Sequence, residues 1–204
     1  MSRNLTDERT IGRLLTLTDG IFAIAILFLL IDIKVPENID TIGIASALFS
    51  LWPNYLAFFI SFVVIGLYWS AHVRLFREII RFDWMLVAFN FLYLLLIVLI
   101  PFASQVLASN SNITAIIMYS LVIACAGYVN TGMRIYSSHE HRLIERAQNN
   151  RSSRQSIFLS LVAPVGFTVS IGIAFLNTIM AQIIWGVILI THLVVQNYQK
   201  LSEE

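Results

Sequence analysis

The 204-residue chain is 58% hydrophobic and only 12% charged, with a net charge of +1 and a mean hydropathy of +0.79. A soluble domain carries about 25% charged residues, so this chain cannot clothe a water-soluble fold and reads as an all-α, polytopic protein of the lipid bilayer. The balanced charge excludes a nucleic-acid partner, which needs a basic excess against phosphates. The single cysteine, Cys125, excludes an intramolecular disulfide and a Cys-based metal site.

Charge-free intervals mark the spans, each needing about 20 mostly apolar residues. The polar start, residues 1–12, lacks the basic beginning and small-residue cleavage site of a signal peptide. The first span, Leu14–Ile33, is therefore expected to be retained. A polar turn with Asp32, Lys34, Pro36, Glu37 and Asp40 follows, and then no charge appears until Arg74. Pro53 divides that interval, because proline lacks a backbone donor and clashes with the preceding turn. A short interfacial or kinked helix is predicted at Thr41–Leu51 and a second span at Pro53–Val73. The polar cluster Ser104–Thr114 splits the next interval into a third span, Trp84–Ala103, and a fourth, Ala115–Met133, with Pro101 as a kink or stop. Residues 134–154 are the most charged stretch and read as a cytoplasmic loop. Asn177–Thr178 separates a fifth span, Ile157–Leu176, from a sixth, Ile179–Tyr198, before a polar end at 199–204.

Six crossings place every one of the 13 basic residues except Lys34 on one side. The positive-inside rule then puts both termini in the cytoplasm, as in a multi-pass protein of the cell (inner) membrane. Spans one to three and four to six show no inverted repeat, so residues 1–204 read as a single domain.

Only the first span carries an acid within it. An Asp at the centre of a spanning helix costs roughly 2.5–3.5 kcal/mol, and less near an interface. Thr18-Asp19-Gly20, shortly after Arg13, reads either as a polar cluster at the cytoplasmic end of a pore-lining helix or as an interfacial helix cap. Ile24, Phe28 and Ile31 share one helical face, with Ala23 and Ala25 beside them. That spacing also fits plain lipid-facing surface. Trp69 and His72 share a face near the cytoplasmic end of the second span, with Tyr68 and Trp69 readable as interfacial aromatics. A neutral histidine both donates and accepts, which suits His72 to bridging Asp19 and a third group, or to a single interhelical hydrogen bond. Asn90 is a similar buried amide in the third span. His139-Glu140-His141 has the spacing of neither a helical metal site nor HExxH, and His192 reads as an interhelical contact. Ala126–Val129 is not a carbonyl filter loop, and no span carries an arginine ladder. Without a nucleophile–base pair, phosphate loop or metal constellation, the chain does not read as an enzyme and calls for no cofactor.

Arg13-x3-Leu17-Thr18-Asp19-Gly20 followed by IFAIAI resembles the RxxxFSDG-type first-helix signature of the transmembrane protein 175 potassium-channel family. Tyr68–Phe76, YWSAHVRLF, resembles its Trp/His second-helix motif, and Asn90 to Pro101-Phe102 its third-helix run. Leu17 and Thr18 stand where the family usually has Phe and Ser, and threonine keeps the hydroxyl. The resemblance implies a cation leak channel modestly selective for potassium over sodium, a homotetramer built around the first helix with K⁺ passing transiently. It implies a hydrophobic constriction at Ile24, then near Phe28 and Ile31; Phe28 is bulkier than the usual aliphatic, and Leu27 is the alternative at that layer. It also implies that Arg13, Thr18, Asp19, Trp69, His72 and Asn90 form a polar network bracing the pore helix. From the residues alone, a proton-coupled carrier with an Asp19/His72 relay and a non-conducting scaffold remain as rivals.

Overall fold

A computed structural model describes residues 5–31, 33, 43–81, 83–110, 112–138, 143–144 and 150–203. Among them are seven helices: α1 (Leu5–Ile31), α2 (Ile44–Ser50), α3 (Trp52–Glu78), α4 (Trp84–Ser109), α5 (Ile113–Ser138), α6 (Asn150–Ala174) and α7 (Thr178–Glu203). Five of the long helices are apolar enough over their length to cross a membrane, and α7 adds the shorter apolar stretch Thr178–Thr191. At 1.5 Å per residue, a 27-residue helix such as α1 or α3 reaches about 40 Å, longer than the roughly 30 Å of bilayer hydrocarbon.

The polar residues that break the apolar intervals cap the helices. Pro53 lies in the first turn of α3, where its missing N–H has no intrahelical role. Asp83 accepts from the Leu86 amide at 2.8 Å to start α4, and Asn112 accepts from the Ala115 amide at 2.9 Å to start α5. Asn177 accepts from the amides of Ile179 and Met180 at 2.9 and 3.1 Å to start α7. Each side-chain oxygen satisfies amides that the first turn leaves unpaired.

The structure departs from the sequence reading at helix ends: α1, α2 and α6 stop at Ile31, Ser50 and Ala174, short of the predicted Ile33, Leu51 and Leu176, and elsewhere helices run longer than predicted. Pro101 is buried within α4 and does not stop it. Ser104 is no breaker either: its hydroxyl lies 3.0 Å from that of Ser61, which is 2.9 Å from the Tyr119 hydroxyl. The stretch expected to be a loop at 134–154 begins inside α5 and ends inside α6, because Arg134 and Ser137 are buried and Leu143 and Ile144 pack into the core. The polar ends expected at 1–12 and 199–204 are helical over 5–12 and 199–203, since Arg, Lys and Glu continue a helix readily. The polar turn Asp32, Lys34, Pro36, Glu37 and Asp40, together with His139, Glu140 and His141, lies outside the described residues, as does the His192 side chain.

One contiguous apolar core draws on all six long helices. α4 packs on α5, α5 on α6 and α6 on α7, while α1 sits at the edge against α3 and α4. The α5–α6 approach depends on Gly127, where a Cβ would stand 2.7 Å from the Tyr68 hydroxyl and 2.9 Å from Pro164 Cβ. Pro164 itself lies inside α6 and leaves the Ser160 carbonyl without its helical donor. The Thr131 hydroxyl of α5, whose single proton lies between its own Gly127 carbonyl at 2.9 Å and the Ser160 carbonyl at 3.2 Å, offers that carbonyl a shared partner that lipid cannot. Gly127→Ala is expected to cost about 1–3 kcal/mol through overpacking, read as a lower melting temperature in detergent. Gly132→Ala, whose nearest neighbour would be Phe89 at an ordinary 3.7 Å, should leave it nearly unchanged.

Candidate functional site

α1 turns Leu14, Thr18, Phe22, Ala25 and Leu29 into the bundle, a spacing that returns to one face of a helix. Thr18 is the polar member of this stripe and is fully buried, as are His72 of α3 and Asn90 of α4. Asn90 Nδ2 donates to Thr18 Oγ1 at 3.1 Å, which turns its Oδ1 toward His72 Nε2 at 2.7 Å. A carbonyl oxygen only accepts, so Nε2 carries the proton. Nδ1 then holds a lone pair that finds no partner among the described residues. The imidazole is stacked on Phe76 at 4.2 Å and lies nearly parallel to Tyr93 at 5.7 Å. Tyr93 donates to the Tyr68 carbonyl at 3.0 Å, and Tyr68 donates to the Ile123 carbonyl at 2.7 Å. The hydrogen bonds thus tie α1 to α4, α4 to α3, and α3 to α5.

Asp19 lies about 100° further round α1 and faces outward. Its Oδ1 accepts from Trp69 Nε1 at 2.8 Å, in an open groove of about 500 Å³ between α1 and α3. The bridge from Asp19 to His72 considered above is not made, because consecutive residues of α1 point to different neighbours. Arg13 is exposed and has no ion pair or hydrogen bond among the described residues. Tyr68 is buried in the bundle, whereas Trp69 is exposed.

The opposite side of α1 is uncovered. Ile24, Leu27, Phe28 and Ile31 are 49%, 53%, 46% and 57% exposed. On a regular helix Ile24 and Ile31 lie about 20° apart, with Leu27 and Phe28 each about 50° to either side of them. Neither is therefore favoured over the other as the middle layer of that face.

Sequence reasoning missed Tyr93 as an anchor and missed the part-buried Glu78–Arg134 pair, whose atoms are 3.4 Å apart. The i, i+3 spacing from Asn90 signals Tyr93. The pair joins residues far apart in sequence and leaves no such mark. Among the described residues, no group of three or more His, Cys, Asp or Glu side chains is placed to hold a metal ion.

A family profile described as the endosomal/lysosomal potassium channel TMEM175 matches residues 13–101, the stretch holding every residue of this site from Arg13 to Asn90. A potassium channel of Chamaesiphon minutus is 32% identical over 151 residues, 71% of this chain and 74% of its own length. The chain belongs to the TMEM175 family. A potassium channel of Streptomyces collinus is 29% identical over 81% of this chain and 83% of its own. The crystal structure of a lysosomal potassium-selective channel TMEM175 homolog from Chamaesiphon minutus matches with a TM-score of 0.82 at 27% identity, covering 93% of this chain and 99% of that one. A TMEM175 relative in Danio rerio, 25% identical over 71% of this chain and 29% of its own length, is named an endosomal/lysosomal proton channel.

Asn90→Ala leaves buried partners on both sides and is expected to cost about 1–3 kcal/mol. Trp69→Phe, which frees a carboxylate oxygen already in contact with the surroundings, should cost less. Thermal unfolding of the two purified variants checks the order.

Proposed function

We propose that this protein is a potassium-selective cation leak channel of the cell (inner) membrane, a single six-crossing domain assembled as a homotetramer with both termini in the cytoplasm. The observation that carries this reading is the uncovered apolar face of α1, with Ile24, Phe28 and Ile31 about half exposed on the helix that the buried network holds in rotation. Four copies of α1 meeting about an axis bring four Ile24 side chains to one level. Phe28, or Leu27 in its place, and Ile31 form the next layers. Thr18, Asn90 and His72 fix the helix from inside the subunit, Asp19 and Trp69 fix it from the groove, and Arg13 stands at its cytoplasmic end.

A ring of isoleucine methyl groups offers no ligand oxygens. It controls passage by dewetting and requires an ion to shed part of its hydration. Sodium holds its water more tightly than potassium, so the ring selects by dehydration cost, and modestly. The named potassium channels among the relatives support the permeant ion. A proton-coupled carrier with an Asp19/His72 relay fits the geometry less well. Asp19 bonds to an indole N–H, which passes no proton on, and His72 bonds to an amide.

Ile24→Asn should widen and wet the neck, moving the reversal potential under a K⁺/Na⁺ gradient toward zero while current persists. Recording purified protein in planar bilayers tests this. An unchanged reversal potential removes Ile24 from the filter, and saturable, pH-coupled flux without unitary currents favours the carrier.

A further inference from the structure

We propose that the cytoplasmic end of α5 and the segment just after it are positioning elements for the pore helix, acting through the corner between α3 and α4. The inference rests on reading α1 as the pore helix.

Three separate contacts hold that corner. Arg134 of α5 pairs with Glu78, the last residue of α3, with both side chains largely withdrawn from solvent. Beyond α5 the chain folds back: Ile144 forms an antiparallel bridge with Ile79, and the Ile80 amide donates to the Leu143 carbonyl at 2.8 Å. Ile79, Leu143 and Ile144 are all buried, so this is a packed strap, not a surface graze. The Tyr136 hydroxyl donates to one carboxylate oxygen of Asp83, whose other oxygen caps α4.

The corner matters because of what its two helices carry. His72 lies six residues before Glu78 and Asn90 seven after Asp83, about 9–10 Å along each helix. Those two side chains bond to each other, and Asn90 holds Thr18 of α1. α1 packs chiefly on α3 and α4, so α5 reaches the pore helix through these two helices, and this corner is where its cytoplasmic end holds both of them. Helices move as rigid elements, and a displacement at their joined ends is delivered to the residues that grip α1. Arg134, Leu143 and Ile144 therefore set the rotation of α1 without touching permeant ions.

The test uses full-length protein in planar bilayers, with Cys125→Ser as background so that an engineered pair is the only disulfide possible. Arg134→Gln should lower open probability roughly tenfold, within the range of coupling between distant sites, and leave the reversal potential under a K⁺/Na⁺ gradient unchanged. Partners across an antiparallel bridge lie about 4.5–5.5 Å apart at Cα, within reach of a disulfide. Ile79→Cys with Ile144→Cys in the Arg134→Gln protein should restore open probability when oxidised and lose it again on reduction, a reversal that a misfolded subunit cannot give. Ile144→Ser, with the ion pair intact, should show the same loss as Arg134→Gln. Background-level open probability in Arg134→Gln or Ile144→Ser, or a loss that cross-linking fails to reverse, overturns the proposal. An Ile24→Asn protein recorded alongside separates the two readings. If it shifts the reversal potential while the corner variants behave like background, only the corner proposal falls; if it does not, the pore assignment falls.

Discussion

A polar group inside hydrocarbon has only the protein to bond to, and the arrangement of α1 follows from that constraint. Thr18 has to find a partner, and Asn90 supplies it while being held in turn by His72. With Thr18 pointing inward, the helical repeat fixes where every other residue of α1 points, and Ile24 and Ile31 are directed away from the bundle. The Asp19–Trp69 bond, about 100° round the helix, is a second fixed point. Two such points determine rotation where one alone leaves a hinge.

The remaining helices hold this grip in place by the same rule. Tyr68 and Tyr93 each spend their hydroxyl on a backbone carbonyl of a neighbouring helix. Pro164 opens a gap in the α6 ladder, and Thr131 of α5 shares its proton between its own Gly127 carbonyl and the freed one. Trp185 donates to Ser170, whose hydroxyl lies 3.1 Å from that of Ser120. Interhelical hydrogen bonds in membranes are individually modest, so their value here is in fixing register between helices that lipid would otherwise let slide.

The fold was legible wherever a local rule governs it. Charge-free runs marked the long helices, and Pro53 and Asn177 marked beginnings of two of them because capping is a matter of a few residues. Some helix ends were read short, since a serine such as Ser104 or an arginine such as Arg134 looks like a boundary until its partner is known. In the candidate site, the residue types at positions 18, 19, 69, 72 and 90 were recoverable from the family signature, but their pairing was not. The sequence suggested His72 beside Asp19, and only the relative rotation of α1 and α3 assigns His72 to Asn90 and Trp69 to Asp19. Arg13 belongs to the signature yet finds no partner among the described residues, which spacing along a single chain does not reveal.

The outward position of Asp19 bears on the proposed homotetramer. A solitary subunit in the membrane would present a carboxylate, held by a single indole, on a flank that faces acyl chains or their headgroup boundary. Solvation alone then disfavours the unpartnered copy, because exposing ionised oxygen to lipid is expensive. In the proposed homotetramer, a neighbouring subunit that supplies a donor to this carboxylate offsets that cost, and the bilayer then favours the assembled form over strays.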